Sequence, residues 1–188
     1  MAGNAKNTAL WTGADVYIAP EGTAGPTDVA TAWGADWDLV GLLDGDEGFT
    51  ETRDEETGEH YAWGGLLIKK TKSQHKRTFK FVALEDNAVT FGLVNPGSTR
   101  TAENGVITSS VVVPVAGHRF AIGFELRDGS KVKRRYGISA EVEEVGDITE
   151  NETDPVVFEI TVVLFPDEDG VLYHTVETDP NYVAPVGG

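Results

Sequence analysis

The chain contains no cysteine in its 188 residues. Disulfides, thiol nucleophiles and thiolate zinc sites are therefore excluded. It is also poor in cations: 15 Lys and Arg stand against 31 Asp and Glu, a formal net charge of -16. Tight nucleic-acid binding works by replacing phosphate counterions with protein cations, so this balance argues against it. It does not argue against a surface that DNA must pass without sticking. No apolar run reaches 18 residues; the longest, Val156 to Phe165, is broken by Glu159 and Thr161. A membrane-spanning helix is not expected. The opening MAGNAKNTALWTG lacks the apolar stretch of a signal peptide.

Signatures of chemistry are equally sparse. The four histidines, His60, His75, His118 and His174, share no metal-ligand spacing and read as surface or strand-end residues. There is no P-loop, GxGxxG or GxSxG. Asp44-Gly45-Asp46-Glu47-Gly48 and Asp167-Glu168-Asp169-Gly170 lack EF-hand spacing and read as acidic turns. No nucleophile, base and orienting group stand out together. The reading is a protein without enzymatic activity, cofactor or metal.

What is present is mostly β-strand signal. The length suits one domain with arms, and a chain of this size buries roughly 70% of its unfolded surface. Glycine is plentiful, 22 residues scattered through turns. Residues 1–14 read as a flexible arm, 15–176 as one domain and 177–188 as a second arm. Asp15–Pro20 and Trp37–Leu43 read as strands, with a loop over 21–36 ordered by Trp33. Asp44–Glu59 reads as an extended hairpin arm or a mobile loop. In Lys76–Leu84, Phe79, Phe81 and Ala83 share one face, opposite Lys80 and Val82. A helix is expected over 86–95, with Asp86 as N-cap, Pro96-Gly97 as stop, and Ala88, Phe91 and Val94 as its buried stripe. Val106–Val115 reads as β. His118–Arg127 places Phe120, Ile122, Phe124 and Leu126 on one face, and Asp128-Gly129 is a hairpin signal. Val132–Val145, Val156–Phe165 and Val171–Val176 complete the set. The predicted fold is mainly β: an antiparallel β-sandwich or half-barrel with one flanking α-helix, an extended loop and terminal arms.

The most informative pattern is a charge contrast. Residues 61–80 hold Lys69, Lys70, Lys72, Lys76, Arg77 and Lys80 and no acid, while residues 41–60 are dense in Asp and Glu with a single Arg. The acids Asp54, Glu55, Glu56 and Glu59 and the bases Lys69, Lys70, Lys72, Lys76 and Arg77 are candidates for contacts between copies, one copy's acids meeting the next copy's bases. The alternatives are a nucleic-acid patch beside Tyr61, Trp63 and Phe79, and a solvated strand face.

The order of elements then becomes familiar. VYIAP follows a polar arm, then WDLVGLLDGDEGFT and a long charged excursion. After these come WGG, KRTFKFVALEDNAVTFGLVNPG, FAIGFELRDGSKVKRRYGISAEVEEVGDIT and a closing FEITVVLFPDEDG. Over roughly residues 12–180 this resembles the major tail protein, or tail tube protein, of long-tailed, non-contractile bacteriophages, in particular those of actinobacterial hosts. The resemblance implies rings of six copies stacked into a hollow tube that conducts DNA. It implies a loop, here 44–74, that reaches an adjacent ring, and arms that add contacts. The implied partners are further copies of the chain, the tape measure, the tail terminator and the distal tail protein, with no membrane. In that frame Glu125, Glu141, Glu143, Glu144 and Glu159 are lumen-facing candidates, an acidic lining that repels phosphate. Arg127, Lys133, Arg134 and Arg135 belong at a ring edge near the Asp128-Gly129 turn. Strand edges left unpaired would join copies. Deleting 176–188 is expected to weaken polymerisation and spare the core.

Two rival classes remain at this level. One is a carbohydrate-binding β-sandwich on a virion, using Trp11, Trp33, Trp37 and Trp63 as a platform. The other is a hydrolase with paired carboxylates of divergent pKa.

Overall fold

A computed structural model describes residues 3–114 and 117–182. Its elements are β1 (Gly13–Pro20), β2 (Asp38–Leu39), β3 (Thr50–Tyr61), β4 (Leu67–Ala83), α1 (Ala88–Val94), β5 (Thr99–Glu103), β6 (Val106–Ser110), β7 (Phe120–Asp128), β8 (Lys131–Val145), β9 (Phe158–Leu164) and β10 (His174–Glu177). One antiparallel sheet runs β2-β1-β7-β8-β9-β4-β3, with β10 added to β8. The predicted class, mainly β with one short helix, is the observed one. The Asp128-Gly129 turn joins β7 to β8, pairing Asp128 with Lys131.

The sheet is curled, and the core says so. β7 and β4 lie three strand positions apart in the sheet order, about 14 Å if the sheet were flat. Yet the Phe124 and Phe79 rings stand 4.8 Å apart, and Phe49 reaches Phe124 at 5.2 Å. The apolar alternation of each strand turns inward here: Val16, Ile122, Phe124, Ala140, Ile160, Val162, Phe79 and Phe81 form one cluster. Val40, Leu93 of α1, and the half-buried Leu43, Phe49, Leu172 and Tyr173 close over it.

The helix differs from expectation in three ways. It spans seven residues, and Asn87 rather than Asp86 caps it, its Oδ1 accepting from the amides of Val89 (2.9 Å) and Thr90 (3.0 Å). Asp86 instead binds Arg100. The buried pair is Thr90 and Leu93, while Ala88 is exposed. Asn87 directly precedes the first helical residue, so its side chain reaches the second and third helical amides, while the Asp86 carboxylate is engaged by a cation.

The expected strand over Val106–Val115 is only partly one. β6 ends at Ser110 and pairs with β5 as a separate hairpin, a strand the sequence reading missed. Val111, Val112 and Val113 continue as exposed chain, and Val115 lies outside the described residues. β-branched residues favour extended backbone but do not supply a partner.

The N-terminal arm is held. The amide of Thr12 donates to the Arg127 carbonyl at 2.9 Å, that of Leu10 to Asp128 at 3.2 Å, and Asn4 donates to Asn181 at 3.1 Å. These contacts tie both ends of the chain to the β7–β8 turn. The C-terminal arm begins within β10, and its last six residues, 183–188, lie outside the described ones.

Gly123, on the opposite face from Phe124, lies directly under Trp33; a Cβ there would overlap the indole. Gly123→Ala is expected to cost about 1–3 kcal/mol by displacing that ring. Denaturant unfolding with near-ultraviolet circular dichroism checks it: the midpoint falls and the tryptophan signal weakens.

Candidate assembly interface

The excursion over 44–74 becomes a hairpin, one of the two forms the sequence allowed. β4 keeps β9 as a partner only from Thr78 to Ala83, and β3 is the last strand of the sheet. Beyond Thr78 the hairpin therefore projects alone, and nearly every residue on it is exposed. Register slips at Asp54/Glu56, beside Gln74 in a left-handed conformation (φ 55°), which marks a β-bulge.

The acidic and basic blocks are the two strands of this hairpin. Asp54 lies opposite Lys76, Glu59 opposite Lys70, and His60 opposite Lys69. Lys72 reaches Glu55 at 2.6 Å and Lys70 reaches Glu59 at 3.3 Å. The hydrogen bond from Lys72, then its charge, hold the Glu55 carboxyl below its ordinary pKa. Part of the contrast is thus satisfied within one chain, in the pairs Lys72–Glu55 and Lys70–Glu59. Exposed pairs of this kind add little stability and chiefly favour one register. Arg77 leaves the exposed set altogether; it bonds Glu51 at 2.6 Å and Tyr173 at 3.3 Å at the hairpin's base. Burial would raise the Glu51 carboxyl, but Arg77, Arg135 and Arg53 together bring it below its usual value. Asp54, Glu56 and Lys69 carry no ion pair among the described residues. At the tip, Tyr61, Trp63, Leu66, Leu67 and Ile68 are exposed.

The second face of the sheet is divided. Over β1, β7 and the first half of β8 it is covered by residues 21–37. Trp33 stacks on Tyr17 at 4.5 Å and meets Trp37 edge-on at 4.9 Å, over Ala19 and Ala121. Beneath Trp33 lies a buried ionic cluster. Glu125, 7% exposed, accepts from Trp33 Nε1 (2.8 Å), Arg134 (2.8 Å) and Arg127 (2.7 Å). Arg134, 5% exposed, also donates to the carbonyls of Asp28 (2.8 Å) and Thr31 (2.6 Å), fixing the loop. Burial alone would raise the Glu125 carboxyl. The Trp33 and Arg127 hydrogen bonds and the Arg134 charge outweigh it and hold the pKa low.

Three sequence expectations fall here. Glu125 does not face a solvent channel: strand alternation told that it opposes Phe124, but not that a loop covers it. Arg127, Arg134 and Arg135 do not form a free basic edge, since they bind Asp15, Glu125 and Glu51 respectively. The tryptophans likewise do not form a platform, because Trp33 and Trp37 are packed as core.

Over β9, β4 and the far half of β8 the same face carries exposed and half-exposed charged side chains, although Thr78 and Val82 on it are buried. Glu141 lies opposite Val163 and Glu144 opposite Thr161, so both point to this side together with Thr78, Lys80 and Glu159. Lys80 pairs with Glu159 at 2.8 Å, and Lys76 with Glu143. Glu141 accepts from the Gly117 amide at 2.9 Å. Four glutamates therefore share this charged half of the face with two lysines, so it is acidic on balance rather than uniformly.

No curated protein matches the chain. Among solved structures, 15 chains match. One, from the sheath-tube complex of an extracellular contractile injection system in its extended state, is 11% identical with a TM-score of 0.51; the match covers 93% of both chains. Another, from the sheath/tube terminator of such a system, is 12% identical with a TM-score of 0.43, covering 86% of this chain and 91% of the other. At 11% identity the first of these likenesses is one of fold alone. A family model described as "Phage tail tube protein" matches residues 1–187. A curled antiparallel sheet with a charged half-face and an unsupported hairpin thus accompanies a family match over nearly the full length, and the chain belongs to the phage tail tube protein family.

Proposed function

We propose that this chain polymerises as stacked rings, six copies to a ring, into the tail tube of a long-tailed, non-contractile phage. The tube conducts double-stranded DNA into the host. The observation that carries the reading is the projecting hairpin: the twelve residues of β3 present a free strand edge, and the apolar tip beyond them has no partner among the described residues. An isolated two-stranded hairpin is marginal at best in water, so this one makes sense when a neighbour supports it. The free edge of β3 offers backbone pairing to the next copy in a ring. The assignment to a sheathless tail rests on the sequence resemblance alone.

In this reading the charged half-face lines the lumen, with Glu141, Glu143, Glu144 and Glu159 as its acids and Lys76 and Lys80 as internal counter-charges. A lining acidic on balance repels phosphate without binding it. Asp54, Glu55, Glu56, Glu59, Lys69, Lys70 and Lys72 make the contacts between rings. The chain is made in the host cytoplasm and ends in the virion, where tape measure, tail terminator and distal tail protein meet the tube.

Electron microscopy of the purified full chain at rising concentration, with and without phage tail tips as seeds, tests this. Hollow tubes with a lumen of roughly 20 Å or more, wide enough for a duplex, are expected. A chain that stays monomeric in both conditions overturns the reading. A lumen wall of net positive charge overturns the assignment of the charged half-face.

A further inference from the structure

The hairpin carries two features at its opposite ends. At its tip, Trp63 stands fully clear of the chain, and Leu66 and Ile68 are 72% and 67% exposed. At its base, the residues that lead into β3 enclose a cleft of about 370 Å³, walled by Trp11, Leu43, Phe49 and Leu126 with Arg135 at its side. We propose that the tip of one copy seats in the base cleft of a second copy, Trp63 entering between Trp11 and Phe49. This rests on the stacked-tube reading and names the contact that joins successive copies.

Three observations lead to it. The described residues do not cover the tip: the β9 partner of β4 ends at Thr78, and Trp63, Leu66 and Ile68 are exposed. The cleft offers what the tip lacks: aromatic and aliphatic walls, and beside them the Arg135 guanidinium, already held by Glu51 and the Phe79 and Tyr173 rings. Finally, plug and socket lie at the two ends of one extended element. A contact between different patches at opposite ends is head-to-tail, and it propagates without closing. The twelve residues of β3 span about 40 Å at roughly 3.4 Å each. A displacement of that order along the hairpin carries one copy's tip to the next copy's base, and it sets the expected axial repeat.

A lipid surface is the other candidate occupant, since tryptophan flanked by lysines suits a membrane interface. The charge of the shaft disfavours it. Lys70 and Lys72 are already paired with Glu59 and Glu55, and Asp54 and Glu56 offset Lys69 and Lys76.

The absence of native cysteine makes a direct test clean. Gly45 lines the cleft and has open space around its Cβ position. Full-length chain carrying both Leu66→Cys and Gly45→Cys, oxidised under assembly conditions, is expected to give a reducible ladder of many chains on a denaturing gel. Each single variant is expected to run as one chain. Tubes without a ladder overturn the socket and leave the tube reading standing. Dimers from Leu66→Cys alone overturn it in favour of tips meeting tips. Neither tubes nor ladder overturns both. Independently, Trp63→Ser is expected to raise the critical concentration at least about tenfold, as loss of a buried aromatic anchor does, with an unchanged far-ultraviolet spectrum. An unchanged critical concentration overturns the proposal. So does a blue-shifted Trp63 emission, measured against Trp63→Ser, on adding phosphatidylglycerol/phosphatidylcholine vesicles below the assembly concentration.

Discussion

Arg134→Met is expected to lower the unfolding free energy by about 3–5 kcal/mol, the cost of stranding one partner of a buried ion pair. Arg134 serves three acceptors: Glu125 beneath it and the carbonyls of Asp28 and Thr31 in the loop above. Methionine fills a similar volume but donates nothing. Glu125 keeps Trp33 and Arg127, yet the two loop carbonyls lose their partner inside the protein. Urea unfolding measures the loss, and a change under 1 kcal/mol would show that the cluster is dispensable. The same cluster sets a pH dependence. The folded pKa of Glu125 is depressed. Its contribution is therefore complete above the unfolded value of about 4.3 and is lost as pH falls through the folded value. Stability of the wild type is expected to drop below about pH 4 more steeply than that of Glu125→Gln, which begins lower. The functional consequence follows from the divided face. Without the clamp, residues 21–37 lift away, and Tyr17, Ala19 and Ala121 join the charged half as an apolar surface. Such variants are expected to aggregate rather than to form ordered tubes.

Phe124→Ala is expected to cost about 3–5 kcal/mol, the usual range for removing a large buried ring. Phe124 touches Phe49, Phe79 and Phe81, three rings from the segment before β3 and from β4. It is the point at which the curled sheet closes on itself. Phe124→Leu should lose much less, because it keeps most of the volume. Equal losses for the two variants would mean that ring stacking rather than filled space holds the curl. Since the curl orients β4, and with it the projecting hairpin, Phe124→Ala is also expected to impair assembly at temperatures where the monomer is still folded.

Much of the fold could be read in advance because strand signals are local. Alternation in Phe120–Leu126 and Val156–Leu164 follows from the two-residue period of an extended backbone, and Asp128-Gly129 is a turn wherever it stands between such runs. The helix lies within the expected stretch, but its cap is Asn87: Asp86 and Asn87 are both competent caps, and Arg100 on β5, fourteen residues beyond Asp86, engages Asp86 instead. The candidate interface was legible as composition and not as geometry. Acidic and basic blocks side by side in sequence pointed to pairing, and two of those pairs, Glu55 with Lys72 and Glu59 with Lys70, lie across one hairpin. Periodicity assigns Glu125 and Glu141 to the same side of the sheet and cannot separate them. One became a buried counter-ion and the other a candidate for the channel wall. The sequence by itself determined that this chain is an acidic, cysteine-free, antiparallel β protein with a charged excursion, because composition and strand period are properties of neighbouring residues. Only the tertiary structure decided which half of a face is covered, which charges are already satisfied and where the apolar tip points. Those depend on the return of residues 21–37 across β7 and on the curl of the sheet about Phe124, both contacts between segments far apart in the chain.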